Sequence, residues 1–285
     1  MHCRSIFKAT VIFLAMWGTV FSGRAFCQDT FEKAIAKKLD SLLTPDQMAD
    51  GNGQLFPNDA MQTVTIPSGF GGYGSYVFGS IGGVYPQTYL TRADLITSAG
   101  FCVGDPVKAI NFAASINLTD VHRLQDFSAN FIISRVIFTG TSISAGGLQL
   151  FASKTMSDAP GSTFYFAVSH AVQTLPSETP GSSKLTYTIG IGNGRFYEKS
   201  PYDIAAGRGK YGTMVFAGVS YELIQHVNLD AEWSAMNLGL SLGIRPFKNP
   251  LSLGIGAANL TRYSADKASL IFTLGYPLSL RRQSN

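Results

Sequence analysis

The chain is 285 residues long, and its formal net charge at pH 7 is +4. Charged residues make up only 14% of it, well below the roughly 25% that is usual in soluble domains. The basic residues are dispersed, apart from Arg281 and Arg282, so the sequence gives no sign of a surface that binds nucleic acid. Beyond the first 27 residues no stretch approaches 18 consecutive apolar residues, which argues against membrane-spanning helices.

The first 27 residues follow the order of a secretory signal peptide. Arg4 and Lys8 precede an uncharged, largely apolar stretch, residues 9–23, and Arg24 ends it. This stretch is too short for a comfortable spanning helix, which needs about 20 residues. The pattern therefore predicts that residues 1–27 direct export and are then removed.

Residues 28–68 are predicted to form a periplasmic helix and a linker. Between Thr30 and Leu43 the apolar residues recur at helical spacing, and Pro45 ends the pattern. Such a short amphipathic helix could plug the mouth of a barrel or could rest on a neighbouring surface. Residues 46–57 resemble a calcium-binding loop only superficially, because Met48 and the missing final Glu remove two of the required oxygen ligands.

From Tyr73 onward, apolar residues alternate repeatedly with small or polar ones, which predicts β-strands. In the last strand Leu270, Phe272 and Leu274 alternate with Ile271, Thr273 and Gly275. Across the strands the second face is mostly Gly, Ser, Ala and Asn, which is typical of a barrel with lipid outside and a polar lumen. Twelve strands are predicted, at residues 73–84, 93–103, 110–118, 127–137, 142–153, 162–172, 184–193, 211–223, 226–236, 238–245, 251–256 and 270–280.

The lengths of the connections support a transmembrane barrel. Connections after even-numbered strands are mostly short, and those after odd-numbered strands are longer, above all residues 195–210. Short turns on one side and long loops on the other are expected of an outer-membrane barrel. Residues 176–183 and the tight joint at Met236 and Asn237 break the rule, so ten or fourteen strands stay possible.

The predicted fold is therefore all-β: a transmembrane antiparallel up-and-down β-barrel of about twelve strands, residues 69–285, preceded by the short amphipathic helix. Only helices and closed barrels satisfy every backbone polar group inside lipid. The expected location is the outer membrane, and the expected partners are outer-membrane lipid and the barrel-assembly machinery. The sequence leaves the oligomeric state open.

Three short pieces carry a family resemblance: Gly104-Asp105-Pro106, residues 190–196, and residues 237–242 leading to Pro246-Phe247. On these pieces the chain resembles a diffuse group of uncharacterised, porin-like bacterial outer-membrane barrel proteins, over roughly residues 68–280. The resemblance implies a barrel fold and no particular activity. Many such barrels end on an aromatic residue, whereas this chain continues from Leu280 to Asn285.

Polar side chains predicted to face the lumen are the candidate functional residues. If the apolar residues face lipid, then Asn228, Asp230 and Glu232 form a row inside the barrel. Such charges could select solutes, or they could form an internal salt-bridge cluster that rigidifies the barrel. The complete candidate set is Asn111, Asn117, Asn228, Asp230, Glu232, Glu222 and Arg245.

The sequence suggests no enzyme, no cofactor and no metal site. His122 and His226 fall in predicted connections, and His170 shares the apolar face, so no catalytic triad is indicated in the lumen. We therefore expect a non-enzymatic, passive or weakly selective channel for small polar solutes. The alternatives are an envelope structural or interaction protein that presents residues 195–210, and a lipid-modifying enzyme that depends on His170 or His122.

Overall fold

The computed structural model describes residues 53–86, 94–120, 125–152, 161–246, 250–261 and 267–280. In this part of the chain, twelve antiparallel strands close into a single barrel, which confirms the predicted fold class. The predicted signal peptide and the predicted helix at residues 30–43 lie outside the described residues. The barrel strands are β2 Tyr76–Tyr85, β3 Asp94–Gly104, β4 Asn111–Asp120, β5 Gln125–Phe138, β6 Thr141–Leu150, β7 Thr163–Ala171, β9 Leu185–Gly192, β10 Val215–Ile224, β11 Val227–Trp233, β12 Leu238–Ile244, β13 Ser252–Ala258 and β14 Ser269–Ser279.

The alternation of side chains determines which face of each strand points outward. Ile116, Ile255 and Leu270 are all more than 60% exposed on the outer surface. The intervening hydroxyl residues are buried inside, as Thr186 and Thr188 are on β9. An apolar exterior around a polar interior is the arrangement expected of a barrel in lipid.

The two ends of the barrel differ. Tyr76 at the start of β2 pairs with Ser279 at the end of β14, so the first and last strands meet at one end, here called the terminal end. The tight turns at Gly140 and His226 lie at this end too. The opposite end, here called the loop end, carries the long connection 193–214 between β9 and β10.

Helical structure is short in the described part of the chain. A single 3₁₀ turn, Gly194–Phe196, and helix α1, Pro201–Ala205, both belong to the 193–214 connection. The Ser200 hydroxyl caps α1 by accepting a hydrogen bond from the backbone N–H of Asp203 at 3.2 Å. No helix among the described residues is long and apolar enough to cross a membrane.

Residues 55–75, here called the lumen segment, lie inside the barrel. Residues 56–62 and 66–70 of this segment are buried, and their contacts reach side chains on the inner faces of opposite walls. Residues 55–68, predicted from the sequence to belong to a linker ahead of the barrel, are thus part of the barrel interior. The segment includes β1, Phe56–Pro57, which pairs in parallel with β8, Ser182–Ser183.

Candidate functional site

The lumen segment enters the barrel at the terminal end. The Gln173 side chain, beyond the end of β7, binds Leu55 twice, because its Oε1 accepts from the Leu55 N–H and its Nε2 donates to the Leu55 carbonyl, both at 2.8 Å. The Asn58 amide then donates to the Ser183 carbonyl at 3.3 Å. These bonds fix the first part of the segment against the connection between β7 and β9.

An ionic contact follows immediately. Both carboxylate oxygens of Asp59 lie close to His226 Nδ1, at 2.8 and 3.0 Å. Arg245 Nη1 lies 3.8 Å from the same carboxylate. Asp59 and Arg245 are buried, so their attraction is less screened than that of a surface pair.

Glu232 binds the tip of the segment near the loop end. One carboxylate oxygen accepts the Val64 N–H at 2.7 Å. The other oxygen accepts the Thr65 N–H at 2.7 Å, the Thr65 hydroxyl at 2.7 Å and the Ile66 N–H at 3.0 Å. Hydrogen bonds to an ionised acceptor are roughly twice as strong as neutral ones. This arrangement, here called the Glu232 clasp, provides acceptors for three consecutive backbone N–H groups, of which that of Ile66 is buried and those of Val64 and Thr65 are partly buried.

The segment then returns toward the terminal end along the opposite wall. The Ser144 hydroxyl donates to the Ser68 carbonyl, and the Gly69 N–H donates to the Ser169 hydroxyl, both at 2.7 Å. The N–H of Gly74 reaches the Gly104 carbonyl at 2.7 Å. The segment is therefore a loop that enters and leaves the barrel at the same end.

The wall fits closely around this loop. A Cβ atom on Gly243 of β12 would lie 2.0 Å from the Ala60 carbonyl oxygen, a distance that no side chain can occupy. Ile66 joins a buried apolar cluster with Phe196 and Phe216, whose rings are 4.5 Å apart. The sequence predicted a polar lumen behind the Gly- and Ser-rich inner face, and in the structure the chain's own segment occupies much of that lumen.

All seven candidate lumen residues are buried: Asn111, Asn117, Asn228, Asp230, Glu232, Glu222 and Arg245. They do not form one group, because β4 and β11 lie six strands apart in the ring of twelve. Glu232 and Arg245 contact the lumen segment, whereas Asn117 hydrogen-bonds to Ser128 on the wall. The sequence left two roles open for these residues, solute selection and internal salt bridges. Glu232 has a third role in the structure, because it accepts hydrogen bonds from backbone N–H groups.

The sequence reasoning missed the lumen segment and several of its wall contacts, among them Gln173, Ser144, Ser169, Ser183 and His226. A usable signal was present. Residues 63–66 alternate polar and branched apolar side chains, which is unusual in a solvated linker. No pattern in the wall sequence, however, indicates which Ser or Glu binds a backbone group of a distant segment.

A second polar contact lies on the outer surface. The Thr141 hydroxyl is 2.8 Å from His170 Nδ1, and these two residues are cross-strand partners on β6 and β7. The His170 ring also packs against the Tyr187 ring at 5.3 Å between centroids. Thr141 and His170 are half-buried beside the terminal end, on the lipid-facing side of the sheet.

Within the part of the chain that the structure describes, no group of three or more His, Cys, Asp or Glu residues is arranged to hold a metal ion. Cys102 is buried, and its sulfur accepts from the Asn111 amide at 3.0 Å.

The closed ring of twelve strands with an apolar exterior is the fold of an outer-membrane β-barrel. No family model and no curated protein matches the chain. Among solved structures, it is similar to outer membrane phospholipase A from Escherichia coli, with a TM-score of 0.38 and 10% identity over 73% of this chain and 90% of that chain. The Salmonella typhi outer membrane phospholipase dimer with bound calcium gives a TM-score of 0.38 and 9% identity, over 73% and 91% of the two chains. An active-site mutant of the Escherichia coli protein gives a TM-score of 0.38 and 9% identity, over 77% and 95%.

These neighbours correct one prediction. The expectation that the chain is not an enzyme is contradicted at the level of the fold, because barrels similar to this one include phospholipases. The physical reason is that an apolar exterior and a polar lumen fix the fold and leave the chemistry of the surface undetermined. Similarity at this level concerns the fold, and it carries no argument about a particular reaction of this chain.

Proposed function

We propose that this protein is an outer-membrane channel for small polar solutes, and that the lumen segment closes it. The Glu232 clasp carries this proposal. A carboxylate buried inside a barrel and bound to three consecutive N–H groups holds a loop that both enters and leaves at the terminal end. Such a loop can leave the lumen without breaking any pairing between barrel strands. Solutes would pass through the lumen once the segment has left it.

The size of the barrel supports a channel. Eight strands give an interior that side chains alone can fill, and twelve give a wider one. Here much of the additional space holds the lumen segment. It contacts the wall through hydrogen bonds to Ser, Gln and Glu side chains, through the Asp59 ionic contact and through the apolar side chains of Phe56, Ile66 and Phe70. Water can replace hydrogen bonds of this kind at a modest net cost.

The surroundings of the channel are part of the same proposal. Residues 1–27 would direct export, the barrel-assembly machinery would insert the barrel, and outer-membrane lipid would cover its apolar exterior. Bacterial barrels have short periplasmic turns and longer external loops. The terminal end would therefore face the periplasm, and the lumen segment would leave toward that side.

Glu232→Gln is expected to open the channel. The amide keeps the shape of the carboxylate, but its NH₂ group faces a backbone N–H that then has no acceptor. Leaving one buried donor unpaired costs about 2 kcal/mol, which raises the open fraction about thirtyfold. Single-channel recording in planar bilayers measures this as more frequent openings of unchanged amplitude.

Glu178→Gln is the matched control. Glu178 is exposed in the connection between β7 and β9, so the same chemical change should leave the recordings at the wild-type level. If Glu232→Gln protein folds, as judged by heat-modifiable gel mobility, and opens no more often than wild type, the clasp does not control the channel.

The Thr141–His170 contact favours a second function, hydrolysis of lipid esters. When His170 carries its proton on Nε2, its Nδ1 accepts the Thr141 hydroxyl proton. The Thr141 oxygen can then attack an acyl carbonyl while the imidazole holds that proton and passes it to the leaving alcohol. Water subsequently releases the acid from the acyl-enzyme. The contact lies at the lipid-facing surface, where such a substrate is present.

Thr141→Val tests the second function, because valine keeps the shape of threonine and lacks the hydroxyl group. Fatty-acid release from phospholipid vesicles should fall at least about a hundredfold in Thr141→Val and in His170→Gln. Thr141→Ser should retain activity, since it keeps the hydroxyl. Absence of fatty-acid release by the wild-type protein, or equal release by Thr141→Val, would exclude this function.

A further inference from the structure

A cavity of about 260 Å³ lies at the loop end of the barrel. The cavity is lined by the tip of the lumen segment, the 193–214 connection, the connection between β11 and β12, and loop-end residues of β2, β6, β12, β13 and β14. The wall residues that matter below are Thr65, Arg195, Glu198, Lys199, Asp203 and Asn237.

We infer that this cavity binds a neutral, polyhydroxylated solute of about the size of a monosaccharide. The inference that this ligand is the solute of the channel rests on the proposed function. Binding itself does not require the lumen segment to move.

The charges around the cavity argue for a neutral ligand. The wall has two cationic and two anionic side chains, those of Arg195, Lys199, Glu198 and Asp203, so it has no net charge. Lys199 and Asp203 are the buried pair. Both are engaged within the 193–214 connection, since Lys199 Nζ donates to the Arg208 carbonyl at 2.7 Å and the Ser200 hydroxyl donates to Asp203 at 3.3 Å. A ligand with a net charge would lose its hydration and find no net opposite charge in return.

The polar groups of the wall suit hydroxyl groups. The Asn237 amide donates to Asn259 Oδ1 at 3.2 Å and accepts from the Thr261 hydroxyl at 2.9 Å, which fixes its orientation. Amide and hydroxyl side chains provide both donors and acceptors, and a sugar hydroxyl needs both. Apolar side chains of Met236 and Ile271 also line the cavity, so the C–H face of a sugar ring would have a surface to contact.

The volume limits the size of the ligand. Pockets for drug-sized molecules measure about 300–1,000 Å³, so this cavity accommodates a single sugar ring and not an oligosaccharide.

Thr65 lies both at the cavity and in the Glu232 clasp. Thr65 contributes to the floor, and the N–H and hydroxyl groups of the same residue are bound by Glu232. A solute in the cavity would therefore contact the part of the segment that has to move before the solute can pass.

Isothermal titration calorimetry on the detergent-solubilised full chain tests the inference with three probes: glucose, glucuronate and glucosamine. We expect glucose to bind with a Kd of order 1 mM, and the anionic and cationic analogues to bind at least about tenfold more weakly. Absence of saturable heat with glucose overturns the inference, and so does tighter binding of either charged analogue.

Gly239→Leu provides the structural test. A Cβ on Gly239 would have no neighbour closer than 3.4 Å, and Thr65 Cγ2 would lie 3.8 Å away, so a leucine side chain can enter the cavity. We expect at least a tenfold loss of glucose affinity. Gly53→Leu is the control, because a Cβ on Gly53 meets nothing within 4 Å and this residue is exposed at the terminal end, so glucose affinity should stay unchanged.

Ser269→Leu also fills this cavity, from β14, and serves as the test variant if Gly239→Leu does not fold. Unchanged glucose affinity in a folded, cavity-filled variant overturns the inference. The two proposals fail separately. If the protein binds glucose but never conducts, the binding site is supported and the channel is contradicted. If it conducts but does not bind glucose, the channel is supported and the binding site is contradicted.

Discussion

Excision of residues 55–72 is expected to turn a closed barrel into an open pore. Both flanks of the excised piece lie at the terminal end, where Leu55 contacts Gln173 and Gly74 contacts Gly104. The chain can therefore be rejoined there without disturbing the twelve strands. Because a twelve-stranded ring is wider than one that side chains alone can fill, the mean current through planar bilayers should rise at least about tenfold.

The excised segment supplies its own control. A synthetic peptide of residues 53–75, added on the side of the terminal end, should block the pore again, and it should block poorly when the barrel also carries Glu232→Gln. A variant that shows heat-modifiable mobility and retains the wild-type current would mean that the segment does not obstruct the lumen.

The barrel could be predicted from the sequence because its signal is local and repeated. Each strand places every second side chain on the same face, so the rows around Leu240 and Leu270 indicate the lipid-facing surface without knowledge of the partner strands. The twelve strands of the structure correspond to the twelve predicted, and the irregular connection at residues 176–183 contains the short strand β8, which pairs with the lumen segment.

The interior could not be predicted in the same way. Small inner-face residues are compatible with water and with a second layer of protein, and the sequence does not distinguish the two. Gly243 is small because the Ala60 carbonyl approaches it, and residues 60 and 243 are far apart in the chain. Glu232 was selected as a lumen residue, but its partners are backbone N–H groups, which every residue except proline carries.

The contact between Thr141 and His170 was beyond prediction for a different reason. It depends on the register between β6 and β7, and a shift of one residue would turn one of the two side chains to the other face of the sheet. Alternation alone identified His170 as an outward residue, which is correct, but it could not identify the hydroxyl group opposite.

Gly243→Ala should displace the lumen segment, and Gly239→Ala should not. Both glycines lie on β12, and the same methyl group is added in each variant. At position 243 the new Cβ would lie 2.0 Å from the Ala60 carbonyl oxygen and 3.2 Å from the Gln62 nitrogen, both of them backbone atoms that cannot rotate away. At position 239 the nearest atom is 3.4 Å away, which is an ordinary contact.

Overpacking a tightly fitted site costs up to about 3 kcal/mol, which corresponds to a rise of about a hundredfold in the population of barrels without a seated segment. We therefore expect Gly243→Ala to give a persistent current in planar bilayers, with faster proteolysis within residues 55–75, and Gly239→Ala to match the wild-type protein in both measurements. Equal behaviour of the two folded variants would mean that the segment does not lie against β12, and the Glu232 clasp would then lose its role as the closure of the channel.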